Sequence, residues 1–193
     1  MTDRHFPLFI PSEGKKVLIF GGGSIALRRI KTLLNYGFEL YAVSRSFCEE
    51  IEILENENRI MTHRAELALN TAHDAIISLK GQIEDTPDTH NDESRESCLE
   101  KLSEIFGYDI TAETFFVLSC LSERETNKRI GEVFKSKDIL VNVCDKRDEC
   151  DFFFPAIAVS DSISAGVTGT GSNHSEVRRA AARIREVVEK KDY

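Results

Sequence analysis

Apolar residues in the first part of the chain follow two spacings in succession. Lys16 to Phe20 is a short apolar run that predicts a buried strand, and Gly21 to Gly23 follow it directly. From Ile25 to Leu34 apolar residues recur at helical spacing, and Gly37 is placed to end this helix as a left-handed cap. Glu39 to Ser44 then predicts a second strand, which completes a unit of two parallel strands and a helix.

The alternation of strand and helix patterns continues along the chain. Short apolar runs predict strands at 59–63, 114–121 and 139–143, and helical spacing predicts helices at 47–56 and 122–134. Ser122 and Glu125 have the spacing of a capping box, which makes Ser122 the predicted N-cap of the later helix. No repeat is visible, so the order of elements favours an α/β fold with a Rossmann-type parallel sheet.

The last third of the chain has a different pattern. An apolar run from Phe152 to Val159 contains one proline, and Ile163 to Thr168 predicts a further strand after a polar turn. These segments predict an antiparallel β-hairpin added to the parallel sheet. Helical spacing then predicts a helix from about His174 to Lys190.

Residues 81–97 interrupt this organisation, because they are acidic and polar and contain almost nothing to bury. The stretch predicts a solvated loop, with a short helix at about Cys98 to Phe106 beyond it. The α/β pattern resumes afterwards without a second nucleotide fingerprint. We therefore interpret residues 80–111 as an acidic insertion and not as a linker between two domains.

Composition excludes several classes of function. The 193 residues carry a net charge of −8, which argues against a nucleic-acid partner. Neither a signal peptide nor an apolar run of membrane-spanning length is visible, so we expect a cytoplasmic protein with no membrane contact. The histidines lack ligand spacing, and the five cysteines form no Cys-x-x-Cys pair, which favours reduced thiols over a metal site or a disulfide framework. The cysteines are Cys48, Cys98, Cys120, Cys144 and Cys150.

The glycines at the end of the first strand carry a more specific signal. Gly21, Gly22 and Gly23 begin the pattern Gly-x-Gly-x-x-Ala, which Ala26 completes at the start of a helix. In this pattern the first glycine allows a tight turn, and the second lets a pyrophosphate approach the backbone. The helix N-terminus supplies free N–H groups to the phosphates. The sequence therefore predicts a dinucleotide site, and the alternative is a glycine turn in another kind of α/β protein.

The end of the second strand bears on which dinucleotide would bind. Sites that prefer NAD often carry Asp or Glu about 20 residues beyond the first glycine, to hold the ribose 2′-hydroxyl. The chain has Ser44, Arg45 and Ser46 there instead. Arg45 could accept a 2′-phosphate, which would favour NADP, or it could simply face solvent.

Two further places could take part in chemistry. Asp145 comes directly after a predicted strand, where a carboxylate can act as a general base or merely cap a turn. Residues 169–173 are rich in glycine and hydroxyl groups and precede a helix, so they could bind an anion together with Arg178 and Arg179 in its first turns. The alternative is an ordinary capped loop followed by a solvated basic helix face.

Five segments taken together resemble a known family, precorrin-2 dehydrogenase, which is the dehydrogenase module of the siroheme synthases. The segments are Phe6 to Phe9, Gly14 to Gly23, Ala26 to Arg29, Val141 to Asp145, and Cys150 to Ala156. The order and spacing of Asn-Val-x-Asp and Phe-x-Phe-Pro-Ala make this resemblance far more specific than the glycine pattern alone.

The resemblance implies a reaction. The family oxidises precorrin-2, a reduced tetrapyrrole with eight carboxylates, to sirohydrochlorin and passes a hydride to a nicotinamide cofactor. It implies NAD, with NADP as the alternative, and a homodimer in which the segment after Pro155 crosses between subunits. Asp145 matches the family's proposed catalytic residue. The residues that match its cofactor contacts are Ser24, Ile25, Arg45 and Ser46, and they add to Gly21, Gly22 and Gly23, which the glycine pattern already assigned to the cofactor.

These expectations divide the chain into two parts. Residues 1–150 are expected to form an NAD(P)-binding Rossmann domain with the acidic insertion, and residues 151–193 a hairpin–helix segment for dimerisation and substrate binding. The expected substrate contacts are Thr170, Ser172, Asn173, His174 and Arg178. The loop that contains them departs from the family's usual Ser-x-Gly-Gly-x-Ser-Pro, and no proline follows.

Three functions remain open at this point. The first is precorrin-2 dehydrogenase, the second is a bifunctional enzyme that also inserts ferrous iron as a sirohydrochlorin ferrochelatase, and the third is a regulatory nucleotide-binding module without catalysis. The segments around Asp145 and Pro155 favour the first two. The sequence does not choose between those two.

Overall fold

The computed structural model of the chain describes residues 5–68, 78–80, 98–169 and 174–190. These residues belong to two compact units. One unit is Ser12–Phe152, and the other combines Met1–Pro11 with Phe153–Tyr193. The acidic stretch at 81–97 lies outside the described residues.

A parallel sheet forms the centre of the Ser12–Phe152 unit. Its strands are β1 (Lys16–Phe20), β2 (Glu39–Ser44), β3 (Met61–Arg64), β6 (Thr114–Ser119) and β7 (Leu140–Val143). The order is β3-β2-β1-β6-β7 and every neighbouring pair is parallel, which confirms the predicted Rossmann-type sheet. The apolar residues of the central strand, Val17 to Phe20, are fully buried, as expected where helices cover both faces. Two short strands, β4 (Glu66–Ala68) and β5 (Ser78–Lys80), pair with each other in a separate sheet.

Six α-helices lie in the described parts of the chain. They are α1 (Ser24–Leu34), α2 (Glu49–Asn56), α3 (Cys98–Phe106), α4 (Ile110–Glu113), α5 (Arg124–Lys135) and α6 (His174–Lys190). In α1 the buried residues are Ala26, Ile30 and Leu33, which share one face. Gly37 after this helix has φ +70°, which confirms the predicted left-handed conformation, whereas the C-cap of the helix is Asn35.

The start of α5 differs from the prediction. Ser122 is not the N-cap; Glu123 occupies that position and its side chain makes no capping hydrogen bond. The reason lies in the buried Asn127, whose Oδ1 accepts from Leu121 N (3.0 Å) and whose Nδ2 donates to Leu121 O (2.9 Å). The Ser119 hydroxyl also donates to Asn127 Oδ1, at 2.7 Å. The side chain of Asn127, from within the helix, therefore fixes the start of α5 in place of the predicted N-cap Ser122.

Part of the region predicted as an insertion contributes to the hydrophobic core. In α3, α4 and the link between them, five side chains are buried against the sheet and α5: Leu99, Leu102, Phe106, Tyr108 and Ile110. Burial raises the pKa of the Tyr108 phenol above its ordinary range. Residues 98–110 therefore belong to the packed fold of this unit.

The outer edge of β7 is occupied by a loop residue. Val141 N donates to the Asp151 carboxylate at 2.9 Å, and Asp151 N donates to Val141 O at 2.9 Å. The prediction that the C-terminal hairpin joins the parallel sheet is therefore wrong. Its strands β8 (Ala156–Val159) and β9 (Ser164–Val167) pair with each other in a two-stranded sheet of their own.

The second unit contains this hairpin and α6. Ala158, Ala181 and Val188 are buried, and Arg185 Nη2 donates to Ile157 O at 2.9 Å. A small apolar contact between the hairpin and α6 thus stabilises this unit, together with the hydrogen bond from Arg185 to the backbone of β8.

Candidate functional site

A cleft of about 610 Å³ opens at the carboxyl ends of β1, β2 and β6. Residues 21–25, 44–48, 65 and 120–123 line it. Open parallel sheets bind their ligands at this edge. The cleft brings together all the residues predicted for the cofactor: Gly21, Gly22, Gly23, Ser24, Ile25, Arg45 and Ser46.

The three glycines in this cleft have different structural roles. Gly21 has φ +126°, and a Cβ there would lie 2.6 Å from the carbonyl oxygen of Cys120. A Cβ on Gly22 would lie 2.1 Å from the carbonyl oxygen of Ser46. A Cβ on Gly23 would meet no atom of the described residues within 4 Å, because this residue borders open space. The first two glycines therefore let neighbouring chain segments approach, and the third leaves room at the start of α1.

The first turn of α1 is open to an anion. Gly23 is its N-cap in an extended conformation, with no side chain capping the N–H groups, and no acidic residue lies in the turn. Uncapped N–H groups and the helix dipole together favour a phosphate at this position. The open space at Gly23 and these free donors fit the pyrophosphate of a nicotinamide dinucleotide.

Arg45, at the end of β2, has a carboxylate partner. Its Nη2 lies 2.7 Å from Oε1 of Glu66, the first residue of β4, and both side chains are exposed (70% and 47%). Glu66 therefore places a carboxylate beside Arg45, although it is not among the residues that line the cleft. Its negative charge offsets the positive charge of Arg45 at the rim of the cleft.

Asp145 lies two residues beyond the end of β7 and beside an arginine. Arg124 Nη1, in the first turn of α5, is 3.8 Å from Asp145 Oδ1, and Arg124 Nη2 forms an ion pair with Glu149. Arg124 Nη1 is buried and has no hydrogen-bond partner among the described residues. This guanidinium is therefore anchored by Glu149 at one end and directed towards the Asp145 carboxylate at the other.

Two cysteines lie at the same edge of the sheet. Cys120 follows β6 and Cys144 follows β7, and their Sγ atoms lie 2.8 Å apart. A hydrogen bond joins the two sulfurs, and this bond, aided by the Arg29 guanidinium, lowers the pKa of the Cys144 thiol. The same bond and burial raise the pKa of Cys120. The pKa values of the two thiols are therefore shifted in opposite directions, that of Cys144 downwards and that of Cys120 upwards.

The predicted substrate residues belong to the other unit. His174 is the first residue of α6, and Arg178 is exposed on that helix. Thr170, Ser172 and Asn173 lie outside the described residues. Asp145 does not line the cleft, although it follows a strand at the same sheet edge.

Three residues of this geometry were absent from the sequence prediction: Arg29, Glu66 and Arg124. Arg124 carried a usable signal, because the first turn of a helix that follows a parallel strand lies at the carboxyl edge of the sheet. The other two carried none, since their roles depend on partners distant in sequence. Among the helices that could be described, none combines the length and the apolar character needed to cross a bilayer.

Comparison with known proteins agrees with this geometry. A family model described as NAD(P)-binding matches residues 8–156. The chain is 32% identical over 184 residues to the "Probable multifunctional siroheme biosynthesis protein HemA" of Ruminiclostridium josui, covering 95% of this chain and 28% of that protein. It is 27% identical over 168 residues to the siroheme synthase of Neisseria meningitidis serogroup C (strain 053442), covering 87% of this chain and 27% of the relative.

A solved structure shares the fold. It is "SirC, precorrin-2 dehydrogenase", with a TM-score of 0.62 at 19% identity, covering 94% of this chain and 70% of that one. The chain thus spans little more than a quarter of the length of the two curated relatives. Since the family model covers more than half of its residues, the chain belongs to this NAD(P)-binding family.

Proposed function

We propose that this chain is a precorrin-2 dehydrogenase, which removes a hydride and a proton from precorrin-2 to give sirohydrochlorin. The observation that carries the proposal is the position of the Asp145 carboxylate, after β7 and at the same sheet edge as the glycine-lined cleft. Such an oxidation needs a hydride acceptor and a base. The names of the siroheme synthases and of SirC support the same reaction.

The cleft residues would hold the cofactor as follows. N–H groups of the first turn of α1 would bind the pyrophosphate, and Arg45 and Ser46 would contact the adenosine ribose. Ser24 and Ile25, both exposed at the start of the helix, flank the phosphates. A nicotinamide cofactor held by these residues would supply the hydride acceptor for the oxidation of the macrocycle.

NAD is the cofactor that we propose over NADP. The Glu66 carboxylate lies 2.7 Å from Arg45, so a 2′-phosphate arriving at this arginine would meet a negative charge beside it. A 2′-hydroxyl, in contrast, could donate to the same carboxylate. Glu66 thus supports the choice that the end of β2 left open.

Asp145 is the residue that we propose as the proton acceptor. Its carboxylate takes the proton that leaves the macrocycle. The Arg124 guanidinium, fixed by Glu149, limits the orientations of this carboxylate and so keeps an oxygen directed to substrate. Arg124 is therefore a positioning residue.

The carboxylates of the substrate need cationic side chains and N–H donors as binding partners. Arg178 and the start of α6 at His174 provide such donors in the second unit. The complete set of proposed contacts is Thr170, Ser172, Asn173, His174 and Arg178.

An anaerobic absorbance assay tests the reaction, with precorrin-2 generated in the cuvette and NAD or NADP added. We expect the sirohydrochlorin spectrum to appear with NAD. Asp145→Ala should lower turnover by about 10²- to 10⁴-fold, as expected for loss of a general base, and leave cofactor affinity unchanged. Asp148→Ala is the matched control, because this carboxylate is in the same loop and faces solvent.

Each other outcome of the assay has a definite meaning. Full turnover by Asp145→Ala would refute its role as the base. No spectral change with either cofactor would refute the dehydrogenase and favour the regulatory module. A further change on adding ferrous iron, faster than without protein, would add ferrochelatase activity with iron as a substrate.

A homodimer through the Met1–Pro11 and Phe153–Tyr193 unit completes the proposal. Phe6, Leu8 and Phe9 expose 88%, 75% and 67% of their surface, which is unusual for three apolar side chains so close together. A second copy of the chain would cover them. Light scattering should give twice the chain mass, and Phe6→Ser with Phe9→Ser should lower it, whereas Ile53→Ser on α2 should not. A monomeric wild type would overturn the dimer.

A further inference from the structure

Cys120 and Cys144 occupy equivalent positions on neighbouring strands. The pairing of β6 with β7 ends at Ser119 opposite Val143, and Cys144 N then donates to Ser119 O at 2.9 Å. Neighbouring strands lie about 4.8 Å apart, and disulfides join residues whose Cα atoms are about 4.4–6.8 Å apart. The backbone therefore brings the two cysteines within bonding range without rearrangement, and their sulfurs already touch.

The surroundings give the two thiols unequal access and reactivity. Cys144 is half-buried, and the Arg29 guanidinium lies beside its sulfur, which favours the thiolate. Cys120 is buried, and its bond to Cys144 together with this burial raises the pKa of its thiol. This is the arrangement of an attacking thiol followed by a resolving thiol. Neither the cofactor cleft nor Asp145 requires two adjacent cysteines.

We propose that Cys120 and Cys144 form a redox modification site, at which a low-molecular-weight disulfide converts the two thiols into an intramolecular disulfide. The bond is reversible, so it agrees with the expectation that the cysteines are thiols under reducing conditions.

The chemistry proceeds by two exchanges. The Cys144 thiolate attacks one sulfur of the small disulfide, whose S–S bond breaks, and one small thiol leaves with a proton. Cys120 then loses its proton and its sulfur attacks Cys144, which breaks the mixed bond and releases the second small thiol. The protein loses two electrons and two protons, and the small disulfide gains them.

The position of this bond gives it a consequence for the site. Cys120 lines the cleft and its carbonyl backs Gly21, and Cys144 directly precedes Asp145. A disulfide would join the wall of the cleft to the backbone beside the proposed base. Any loss of turnover on oxidation rests on the proposed dehydrogenase function, whereas formation of the bond does not.

Peptide mapping of the whole wild-type chain tests the site independently of activity. The protein is incubated with glutathione disulfide, its free thiols are alkylated, and it is digested with trypsin. Lys101, Arg124, Lys137 and Lys146 separate the cysteines onto different peptides. We expect a peptide pair linked through Cys120 and Cys144, reversed by dithiothreitol, and alkylation of Cys48 and Cys150.

Two variants test the order of the exchanges. Cys120→Ser should stop at one glutathione on Cys144, and Cys144→Ser should leave Cys120 unmodified. Cys150→Ser is the matched control and should still form the link, since burial raises the pKa of that thiol. Three results in the oxidised wild type would each overturn the proposal: full alkylation of Cys120 and Cys144, stable glutathione on Cys144, or a link to Cys150. These three results do not depend on whether a variant folds.

Discussion

Replacing Asn127 with alanine should destabilise the Ser12–Phe152 unit more than any one of its hydrogen bonds suggests. The side chain is fully buried and makes three bonds, to the Ser119 hydroxyl, to Leu121 N and to Leu121 O. At about 1 kcal/mol each, their loss amounts to about 3 kcal/mol. Alanine would also leave the polar groups of Leu121 without their partner, which makes this value a lower bound.

Thermal unfolding followed by circular dichroism measures this effect. For a chain of this size, 1 kcal/mol shifts Tm by about 2–4 °C, so Asn127→Ala should lower Tm by about 6–12 °C. Ser119→Ala removes one of the three bonds and should lower Tm by about 2–4 °C. Asn35→Ala is the control, because Asn35 is exposed at the end of α1 and its side chain should matter little.

The combined variant separates a network from independent bonds. Ser119→Ala with Asn127→Ala should destabilise no more than Asn127→Ala alone, because both remove the same hydroxyl bond. A Tm for Asn127→Ala equal to that of Ser119→Ala would refute the reasoning. It would mean that Leu121 finds other partners, such as water, without cost.

Three further predictions concern the cleft and its edge. Gly23→Ser should raise the cofactor Kd by about tenfold in calorimetry without lowering Tm, because a serine N-cap occupies the N–H groups that the phosphates need. An unchanged Kd would exclude the start of α1 as the phosphate site. Glu66→Gln should increase the preference for NADP over NAD by about tenfold in kcat/KM, because it removes the negative charge beside Arg45. Glu57→Gln is the control, since Glu57 pairs with Arg59 instead, and it should leave this preference unchanged. Iodoacetamide labelling of Cys144 should rise with pH and reach half its maximum below pH 9.0, the ordinary thiol value, because the bond with Cys120 and the charge of Arg29 outweigh the opposing effects of burial and of the Asp145 charge. A midpoint above that of buried Cys150 would contradict this.

The sequence predicted the sheet well where one segment determines its own structure. The residues of β1 are all apolar in the interior of the strand, and those of α1 have one apolar stripe. The bounds of β1 were therefore predicted as they are, and those of α1 to within one residue, since the helix begins at Ser24 and not at Ile25. The same holds for Gly37, whose position after a helical pattern indicates a left-handed conformation.

Features that depend on partners far along the chain were missed. Asn127 replaces Ser122 as the residue that fixes the start of α5, because its amide reaches back across the turn to Leu121. Glu66 meets Arg45 only once β2 and β4 are folded. The contact between Cys120 and Cys144 needs the register of β6 and β7, which no local pattern specifies.

The bond between Asp151 and the edge of β7 also bears on how copies of the chain can associate. An unpaired strand edge is a template for another strand, and proteins block such edges to avoid uncontrolled association. Asp151 satisfies both the N–H and the carbonyl of Val141, so the sheet cannot grow at that point by addition of a strand from a neighbouring molecule. On the β7 side of the sheet, any contact with a second copy would therefore use side-chain surfaces, which can be closed and specific, instead of a backbone edge, which can extend without limit.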